Sequence, residues 1–411
     1  MKSITIFVML DACRHDYIKK EVTPFLHGLQ QNGFSSPVKP TFGFEPDAAY
    51  LAGLYPDQAD GGAQFWYSPE ESPFKAAKFL PTFLNRLPNF SQKVIRKLLT
   101  KAARLHSTSP NLSSAGIPFH LLNKFALPMK VNLDHPQFCS KNKTVFDLLR
   151  ENNHEYLFHA APEYRVTIKA ALNRAQKQLR PPLTFAFFHV GNLDGVGHKF
   201  GPESDEIKKE LAIVDQGMHK IYKIAKNRFE QVNFVIMGDH GMIRIKTTID
   251  FITPLAALPL IHGKDYLCML DSTMARFWFF SDRAEQMITE TIAKIKGGHC
   301  LEQKDKDRYH LNYPHNRFGD LMFLADPGSL VFPNHYQGSS PVSGMHGYAP
   351  ENFGQQAAFI INSERIGHHQ REEPVDMRQV FPTLCDLLDL NKPLDCASKS
   401  LVRVGTKISS D

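Results

Sequence analysis

The amino-acid sequence predicts an α/β fold: a central, mostly parallel sheet covered by helices on both faces. Three short apolar runs, residues 4–10, 183–190 and 232–237, are typical of strands buried on both sides. Amphipathic segments of helical length lie between them, and this alternation favours a parallel sheet. Each run ends at a polar cluster, so we expect these clusters at the sheet edge where open α/β folds bind ligands. The expected core therefore has three layers, α/β/α.

Local signals predict the remaining elements. A helix is predicted over residues 23–32, with Thr23 as its cap, Pro24 at its first position and Gly33 after its end. A second, apolar helix is predicted over residues 46–54. Further helices are predicted over residues 91–105, 144–151, 164–179, 204–227, 284–295 and 377–388, and further strands over 274–280, 321–325 and 357–361.

The chain divides into a core and an insertion. Residues 1–62 and 138–411 are predicted to form the α/β core, within which residues 255–335 have a less regular pattern. Residues 63–137 are rich in Phe, Pro, Lys and Arg and show no clear strand pattern. We predict that they form an inserted, largely helical cap.

Composition limits the class of protein. With 411 residues, 42% of them hydrophobic, the chain can bury a large core and is not disordered. A net charge of +6 fits an anionic substrate or a membrane surface, and specific nucleic-acid binding is not expected. The six cysteines form no Cys-x-x-Cys pair. Neither a signal peptide nor an apolar stretch of about 18 residues is evident, so we expect a cytoplasmic protein.

The polar cluster after the second apolar run, NLDGVGH at residues 192–198, has a composition suited to metal binding. Asp194 and His198 offer a carboxylate and an imidazole four residues apart, across two glycines. The glycines are expected to let the backbone fold tightly and aim both side chains at one point. Zn²⁺ or Mn²⁺ takes such mixed ligands, whereas an ordinary polar loop is the alternative that this motif alone leaves open.

Similar clusters follow the other two runs, and one more lies late in the chain, in the sequence SGMHGY at residues 343–348. Any one of these polar residues alone could be structural. Together they supply three carboxylates and three imidazoles, enough to hold two divalent ions and leave positions open for substrate. The candidate ligands are Asp11, Asp194, His198, Asp239, His240 and His346.

These motifs resemble those of the alkaline phosphatase superfamily, and most closely its type I phosphodiesterases and nucleotide pyrophosphatases. The resemblance covers residues 1–62 and 144–390 and leaves the insertion out. It is carried by VMLD at residues 8–11, GLYP at 53–56, NLDGVGH at 192–198, GDHGM at 238–242, MHG at 345–347 and FPTL at 381–384.

The resemblance also implies how the ligands are shared. It assigns Asp194, His198 and His346 to one metal ion. It assigns the remaining candidates, Asp11, Asp239 and His240, to the other. Zinc is the ion usual in the family, and Mn²⁺ is the alternative.

The chain departs from the family at the nucleophile. The family places a Thr or Ser ten residues before the glycine that corresponds to Gly53, and Gly43 stands there instead. Three interpretations stay open, of which we favour the first. In the first, Thr41 attacks from a remodelled loop. In the second, a metal-bound hydroxide attacks from the space left at Gly43, with Glu45 or Asp47 as the base or as a further ligand. In the third, the protein binds its ligand without turnover. Glu45 and Asp47 could also simply be acidic residues at the start of a helix. The sulfatase branch of the superfamily fits poorly, because it needs Cys or Ser at the position of Gly43.

We therefore predict a two-metal-dependent hydrolase of small-molecule phosphodiesters or pyrophosphates, similar to the nucleotide pyrophosphatases/phosphodiesterases. The alternatives are a transferase that moves a phospho-group to a sugar or lipid, and a metal-containing binding protein without turnover. Residues 91–105 are basic, and one apolar face is shared by Val94, Leu98, Ala102 and Leu105. This segment is either a cap helix with a solvated basic face or a contact with anionic membrane. The oligomeric state is left open.

Overall fold

The computed structural model of the chain describes residues 2–59, 61–139, 141–160, 165–394 and 396–402. In chain order its strands are β1 (Ser3–Leu10), β2 (Phe34–Lys39), β3 (Trp66–Tyr67), β4 (Phe125–Ala126), β5 (Tyr156–His159), β6 (Phe185–Val190), β7 (Gln231–Met237), β8 (Ile243–Arg244), β9 (Thr247–Ile249), β10 (Tyr266–Leu270), β11 (Met274–Phe279), β12 (Gly298–Cys300), β13 (Leu321–Ala325), β14 (Ser329–Val331), β15 (Gly344–Met345), β16 (Ala357–Asn362), β17 (His369–Gln370) and β18 (Val375–Asp376). Its α-helices are α1 (Pro24–Asn32), α2 (Asp47–Ala52), α3 (Asn89–Ala103), α4 (Val145–Glu151), α5 (Ile168–Gln178), α6 (Asn192–Phe200), α7 (Asp205–Arg228), α8 (Ile252–Ala256), α9 (Asp282–Ile292), α10 (Gln303–Tyr309) and α11 (Val380–Leu387).

A central sheet organises the molecule. Its strand order is β17-β2-β16-β7-β1-β6-β5, and β18 also pairs with β2. The strands β5, β6, β1 and β7 are mutually parallel, whereas β16 runs antiparallel to both of its neighbours. The predicted α/β class with a mostly parallel sheet is confirmed. β2, which the sequence analysis did not identify, joins the sheet through β16.

The central strands are apolar throughout because both of their faces are covered. Phe7 and Met9 of β1 point into one core cluster, with α4 and α11. Ile6 and Val8 point into the other, with α5 and α7. Alternate residues of a strand face opposite sides of a sheet, so a strand covered on both sides needs a continuous apolar run.

Helix starts follow the predicted signals, with one difference. The Ser204 hydroxyl accepts a hydrogen bond from the Ile207 amide at the start of α7, as a capping residue does. Thr23 precedes α1 as predicted, but its hydroxyl does not cap the helix. Instead, the Leu26 amide donates to the Asp215 carboxylate of α7 at 2.8 Å. This tertiary contact satisfies a helix-start amide that local sequence left unassigned.

Residues 255–335, predicted to be less regular, contain a four-stranded antiparallel sheet of order β10-β11-β13-β12. Helix α9 packs on it through Ala284, Ile288 and Ile292. Residues 63–137 contain α3, several turns of 3-10 helix and the two-residue strands β3 and β4, which pair antiparallel. These two strands are too short to give a sequence pattern. No helix in the described ranges is both long and apolar enough to cross a membrane.

Candidate metal centre and catalytic pocket

Three carboxylates meet where β6, β1 and β7 end. β1 lies between the other two strands and is parallel to both, with Leu10 opposite Val190 and Met9 opposite Met237. The residues that follow these strand ends are therefore neighbours, and the Ala12 amide donates to the Asp239 carboxylate at 3.0 Å. Asp11, Asp194 and Asp239 are all buried at this edge.

Asp194 and His198 lie on a helix, not on the tight loop that the two glycines predict. Residues 192–200 form α6, in which a spacing of four places both side chains on one face, with Asp194 Oδ1 3.1 Å from His198 Nε2. A Cβ at Gly195 would meet no atom within 4 Å, so packing does not require this glycine. The His198 Nδ1 lies 2.8 Å from the Gly344 carbonyl oxygen, which orients the ring.

The other two imidazoles complete the cluster. His346 Nε2 lies 3.7 Å from Asp194 Oδ1. The rings of His240 and His346 stack with their centroids 3.6 Å apart. His240 Nδ1 lies 2.9 Å from the Gly241 carbonyl oxygen, and its Nε2 lies 3.5 Å from both Asp11 and Asp239. The structure thus gathers all six sequence-predicted ligands at one place.

Together with His189, these six residues form three groups, in each of which the potential ligand atoms lie within 4.8 Å of one another. The first, Asp194, His198 and His346, has the composition implied by the family resemblance. The other two are Asp11 with His189 and Asp239, and Asp11 with Asp194 and His240. His189 was missed by sequence reasoning. The only sign of it in the sequence is a polar residue inside the otherwise apolar β6. In the structure, His189 Nε2 lies 3.7 Å from Asp11 Oδ2.

These residues fit a divalent cation. Within the described part of the chain, Asp11 Oδ1, His240 Nε2 and His346 Nδ1 are buried without a hydrogen-bond partner. Leaving polar atoms buried and unbonded costs free energy that a bound cation would offset. Carboxylate oxygen and imidazole nitrogen are the donor atoms that Zn²⁺ and Mn²⁺ accept.

The electrostatics agree with this donor set. Burial lowers the pKa of His346 well below its ordinary value, with the charge of His240 adding to the effect. Burial acts to raise the pKa of Asp194, but the hydrogen bond and charge of His198 outweigh it and hold that pKa well below its usual range. Burial and the neighbouring Asp11 raise the pKa of Asp239 to about 6. A neutral imidazole and crowded carboxylates are the state that a cation stabilises.

Arg165 is a further residue that sequence reasoning missed. Its guanidinium forms ion pairs with Asp11 and with Asp194, the latter at 2.7 Å. The side chain is 35% exposed and reaches the cavity above the carboxylates. It belongs to no motif, because the residues that precede α5 have no pattern that would point to the site.

A cavity of about 650 Å³ opens over the cluster. Glu45 lines it together with Arg165, His198, Asp239 and His346. Thr41, Gly43 and Asp47 are not among its lining residues. Asp47 is buried and accepts a hydrogen bond from the Tyr50 hydroxyl. Of the four residues considered for catalysis from the sequence, only Glu45 thus reaches the cavity.

Glu45 has the properties of a proton acceptor. Its Oε1 accepts a hydrogen bond at 3.1 Å from Asn111 Nδ2. Asn111 lies in residues 63–137, which we call the cap segment because the sequence predicts a cap there. Burial, followed by the charge of Asp47, raises the pKa of Glu45 to about 7. A carboxyl group with that pKa can exchange a proton near neutral pH.

Gly43 does not leave open space, contrary to one interpretation of the sequence. Its φ is +107°, in the region that favours glycine. A Cβ at Gly43 would lie 2.1 Å from the carbonyl oxygen of Gly62. The backbone at Gly62 therefore fills the direction in which a side chain would point. Glycine is required here by this close approach.

Known proteins similar to this chain decide its family. The family model described as "Type I phosphodiesterase / nucleotide pyrophosphatase" matches residues 5–349. The chain belongs to the type I phosphodiesterase / nucleotide pyrophosphatase family. The resemblance inferred from the motifs is confirmed, and the curated relatives are named as phosphodiesterases and pyrophosphatases.

Curated members of the family are similar over half of this chain. The ectonucleotide pyrophosphatase/phosphodiesterase family member 3 of Rattus norvegicus is 26% identical over 216 residues, which are 50% of this chain and 24% of that protein. The bis(5'-adenosyl)-triphosphatase ENPP4 of Homo sapiens is 25% identical over 222 residues, 51% of this chain and 45% of that protein. The aligned part of this chain thus spans less than half the length of these relatives.

Solved structures of family members share the fold. Human ectonucleotide pyrophosphatase / phosphodiesterase 5 superposes with a TM-score of 0.70 at 15% identity, covering 95% of this chain and 96% of that one. The murine protein, in an inactive form in complex with AMP, gives a TM-score of 0.70 at 16% identity over the same shares of the two chains. At this level of identity the likeness shows the fold.

Proposed function

We propose that this family member is a two-metal-dependent hydrolase of phosphodiester or pyrophosphate bonds in small molecules. The observation that carries it is the cluster of Asp11, Asp194, Asp239 and three imidazoles at the base of a cavity lined by Glu45 and Arg165. Glu45 adds a candidate proton acceptor to the cavity, which a hydrolytic reaction uses and binding alone does not.

Asp194, His198 and His346 would hold one divalent ion. Asp11 and Asp239 would hold the second, together with His240 and with His189 within reach. When bound, two such ions supply positive charge at the attacking and leaving oxygens of phosphoryl transfer and acidify water. Zinc is the ion expected from the family resemblance.

The chain's own residues supply the rest of the reaction. The Arg165 guanidinium is placed to bind a phosphoryl oxygen, because it lies at the carboxylate cluster and faces the cavity. Glu45 would accept the proton of the attacking water, and Asn111 holds its carboxylate in position. Gln64 and Asn111 of the cap segment line the cavity together with Ser272 and Gln337, and these side chains would contact the leaving group.

We propose that water, and not Thr41, attacks the phosphorus atom, because of where Glu45, Thr41 and Gly43 lie. Glu45 lines the cavity and Thr41 does not. Gly43, at the family's nucleophile position, has no side chain and no room for one. Hydrolysis of phosphodiesters can be tested with an aryl ester of a nucleoside 5'-monophosphate, here called the aryl nucleotide ester.

The deciding experiment combines metal counting with turnover. Purified protein is expected to bind two divalent ions and to hydrolyse the aryl nucleotide ester. Asp239→Ala and His346→Ala are each expected to abolish turnover and to lower the metal count while the protein remains folded. The matched control is the surface pair His299→Ala and Asp326→Ala, an imidazole and a carboxylate 3.9 Å apart on the exterior. Full turnover and two metals in His346→Ala would refute the site; two metals without turnover in wild type would refute this substrate class.

A further inference from the structure

Helix α3 carries two apolar faces, and only one of them is packed. Ile95, Leu99 and Ala103 pack into a hydrophobic cluster that the cap segment shares with β10 and β11. On the opposite side Phe90, Val94 and Leu98, spaced four residues apart, are 79%, 44% and 62% exposed. The sequence-predicted apolar stripe through Val94 and Leu98 therefore faces solvent. Burial of the inner face explains why α3 forms, but not why the outer face is apolar.

A row of lysines runs beside these outer apolar residues. Lys93, Lys97 and Lys101 have the same four-residue spacing and are exposed. We call the outer side of α3 the cap face; its residues are Phe90, Val94, Leu98, Lys93, Lys97 and Lys101. A helix with lysines alongside large apolar side chains has the make-up of one that lies in the plane of a membrane surface.

Exposed apolar residues are concentrated around this helix. Of the thirteen large hydrophobic side chains that are exposed in the described chain, six lie within residues 79–105. Phe79 and Phe83 are on the turns of 3-10 helix that lead into α3, and Leu105 follows its end. Scattered exposed apolar residues are ordinary, whereas such a concentration marks an interaction surface.

The positive charge of the protein is concentrated in the same segment. Residues 72–133 contain ten Lys or Arg and no Asp or Glu. Because the whole chain has a net charge of +6, the remainder carries −4. The segment is therefore strongly positive beside a negative remainder, which would orient the protein towards an anionic surface.

From the cap face and this charge distribution we propose that the cap docks on an anionic phospholipid membrane. The lysines meet the headgroups, and Phe90, Val94 and Leu98 enter the boundary between headgroups and acyl chains. Nucleic acid would match the charge of the lysines but is a poorer partner for the cap face, because the aliphatic side chains of Val94 and Leu98 would remain in water. This proposal is independent of the metal site and of the reaction assigned to it.

Co-sedimentation of the full chain with vesicles tests the proposal. Binding is expected to phosphatidylcholine vesicles that contain about 30 mol % phosphatidylserine, and not to phosphatidylcholine alone. It is expected to weaken when salt is raised from about 0.1 M to about 1 M. Absence of binding to the anionic vesicles overturns the proposal.

Variants of exposed residues separate the contribution of the lysine charges to vesicle binding from that of the apolar side chains. The triple variant Lys93→Gln, Lys97→Gln and Lys101→Gln is expected to lose roughly 100-fold in vesicle affinity. The double variant Phe90→Ser and Leu98→Ser keeps the charge and is expected to lose at least about tenfold. Unchanged vesicle affinity in either variant would contradict docking through the cap face.

Matched controls exclude general effects of charge and stability. Lys209, Lys220 and Lys223 are three exposed lysines of α7, and their replacement by Gln is expected to leave vesicle affinity unchanged. A thermal melt of each variant checks that it is folded. Two results would overturn the proposal in favour of another occupant: binding of single-stranded RNA in place of vesicles, or a dimer in wild type that Phe90→Ser and Leu98→Ser dissociates.

Discussion

The carboxylate of Glu45, in the loop before α2, accepts a hydrogen bond from the amide of Asn111, in the cap segment, at 3.1 Å. The two residues are 66 positions apart in the chain and line the same cavity. This contact joins the loop before α2 to the cap segment at the point where the proposed reaction needs a proton acceptor. It makes the proposed chemistry testable through pH dependence.

Replacement of Glu45 by Gln is expected to lower kcat by about 100-fold or more, because the variant cannot accept a proton. In wild type, the rate should rise with pH, since only the deprotonated form of Glu45 is a base. Burial raises its pKa to about 7, and bound cations lower it, so the half-maximal rate should lie at or below about pH 7. The rising limb should vanish in Glu45→Gln. A pH profile of kcat at saturating metal checks this. An unchanged limb would remove Glu45 as the base.

Replacement of Asn111 by Ala is expected to move the same limb to higher pH. The hydrogen bond from Asn111 lowers the pKa of Glu45, opposing burial, so its loss raises that pKa. At low pH the variant should therefore be slower than wild type, and at high pH the two should converge. A uniform loss of rate at all pH values would instead indicate a purely structural role.

Arg165 is expected to contribute to substrate binding. Arg165→Ala should raise KM by roughly 10- to 100-fold, the effect of losing a charged hydrogen bond to a phosphoryl oxygen. Arg165→Lys should be intermediate, because an ammonium cannot form the paired contacts of a guanidinium. Steady-state kinetics measure both effects, and the metal content of each variant is the control. A change confined to metal content would show that Arg165 positions the carboxylates of Asp11 and Asp194 and does not bind the substrate.

Thr41→Ala is expected to retain wild-type turnover, because Thr41 does not line the cavity. Turnover of the aryl nucleotide ester, with metal content measured in parallel, is the test. A folded, metal-loaded Thr41→Ala protein without activity would show that Thr41 is the nucleophile after all, reached through movement of the loop that contains Gly43.

Divalent metal is expected to stabilise the fold. An ion that binds only the folded state adds about 2.7 kcal/mol at 100 times its Kd. Chelation should therefore lower Tm, and Zn²⁺ or Mn²⁺ should restore it, whichever substrate the protein uses. Asp194→Asn should remove this response, whereas Asp326→Asn, on the surface, should keep it. A Tm insensitive to metal would contradict the ligand set.

Local patterns determined the α/β class and the position of most candidate ligands. The apolar runs that became β1, β6 and β7 are continuous because both faces of these strands are buried, so their ends could be read from the sequence. Parallel pairing then places Asp11 and Asp239 at one edge. The polar residues after the strands were identifiable because strand ends are local signals.

Tertiary structure decided what depends on residues distant in the chain. His189 and Arg165 join the site through neighbours far away in sequence, and no periodicity reports such contacts. Gly43 is required by the backbone of Gly62, a close approach that composition does not show. The outer side of α3 is another case, since a helix with two apolar faces does not reveal which of them will be packed. Sequence patterns record which residues can be buried, whereas the partner that buries them is set by the packing of the whole chain.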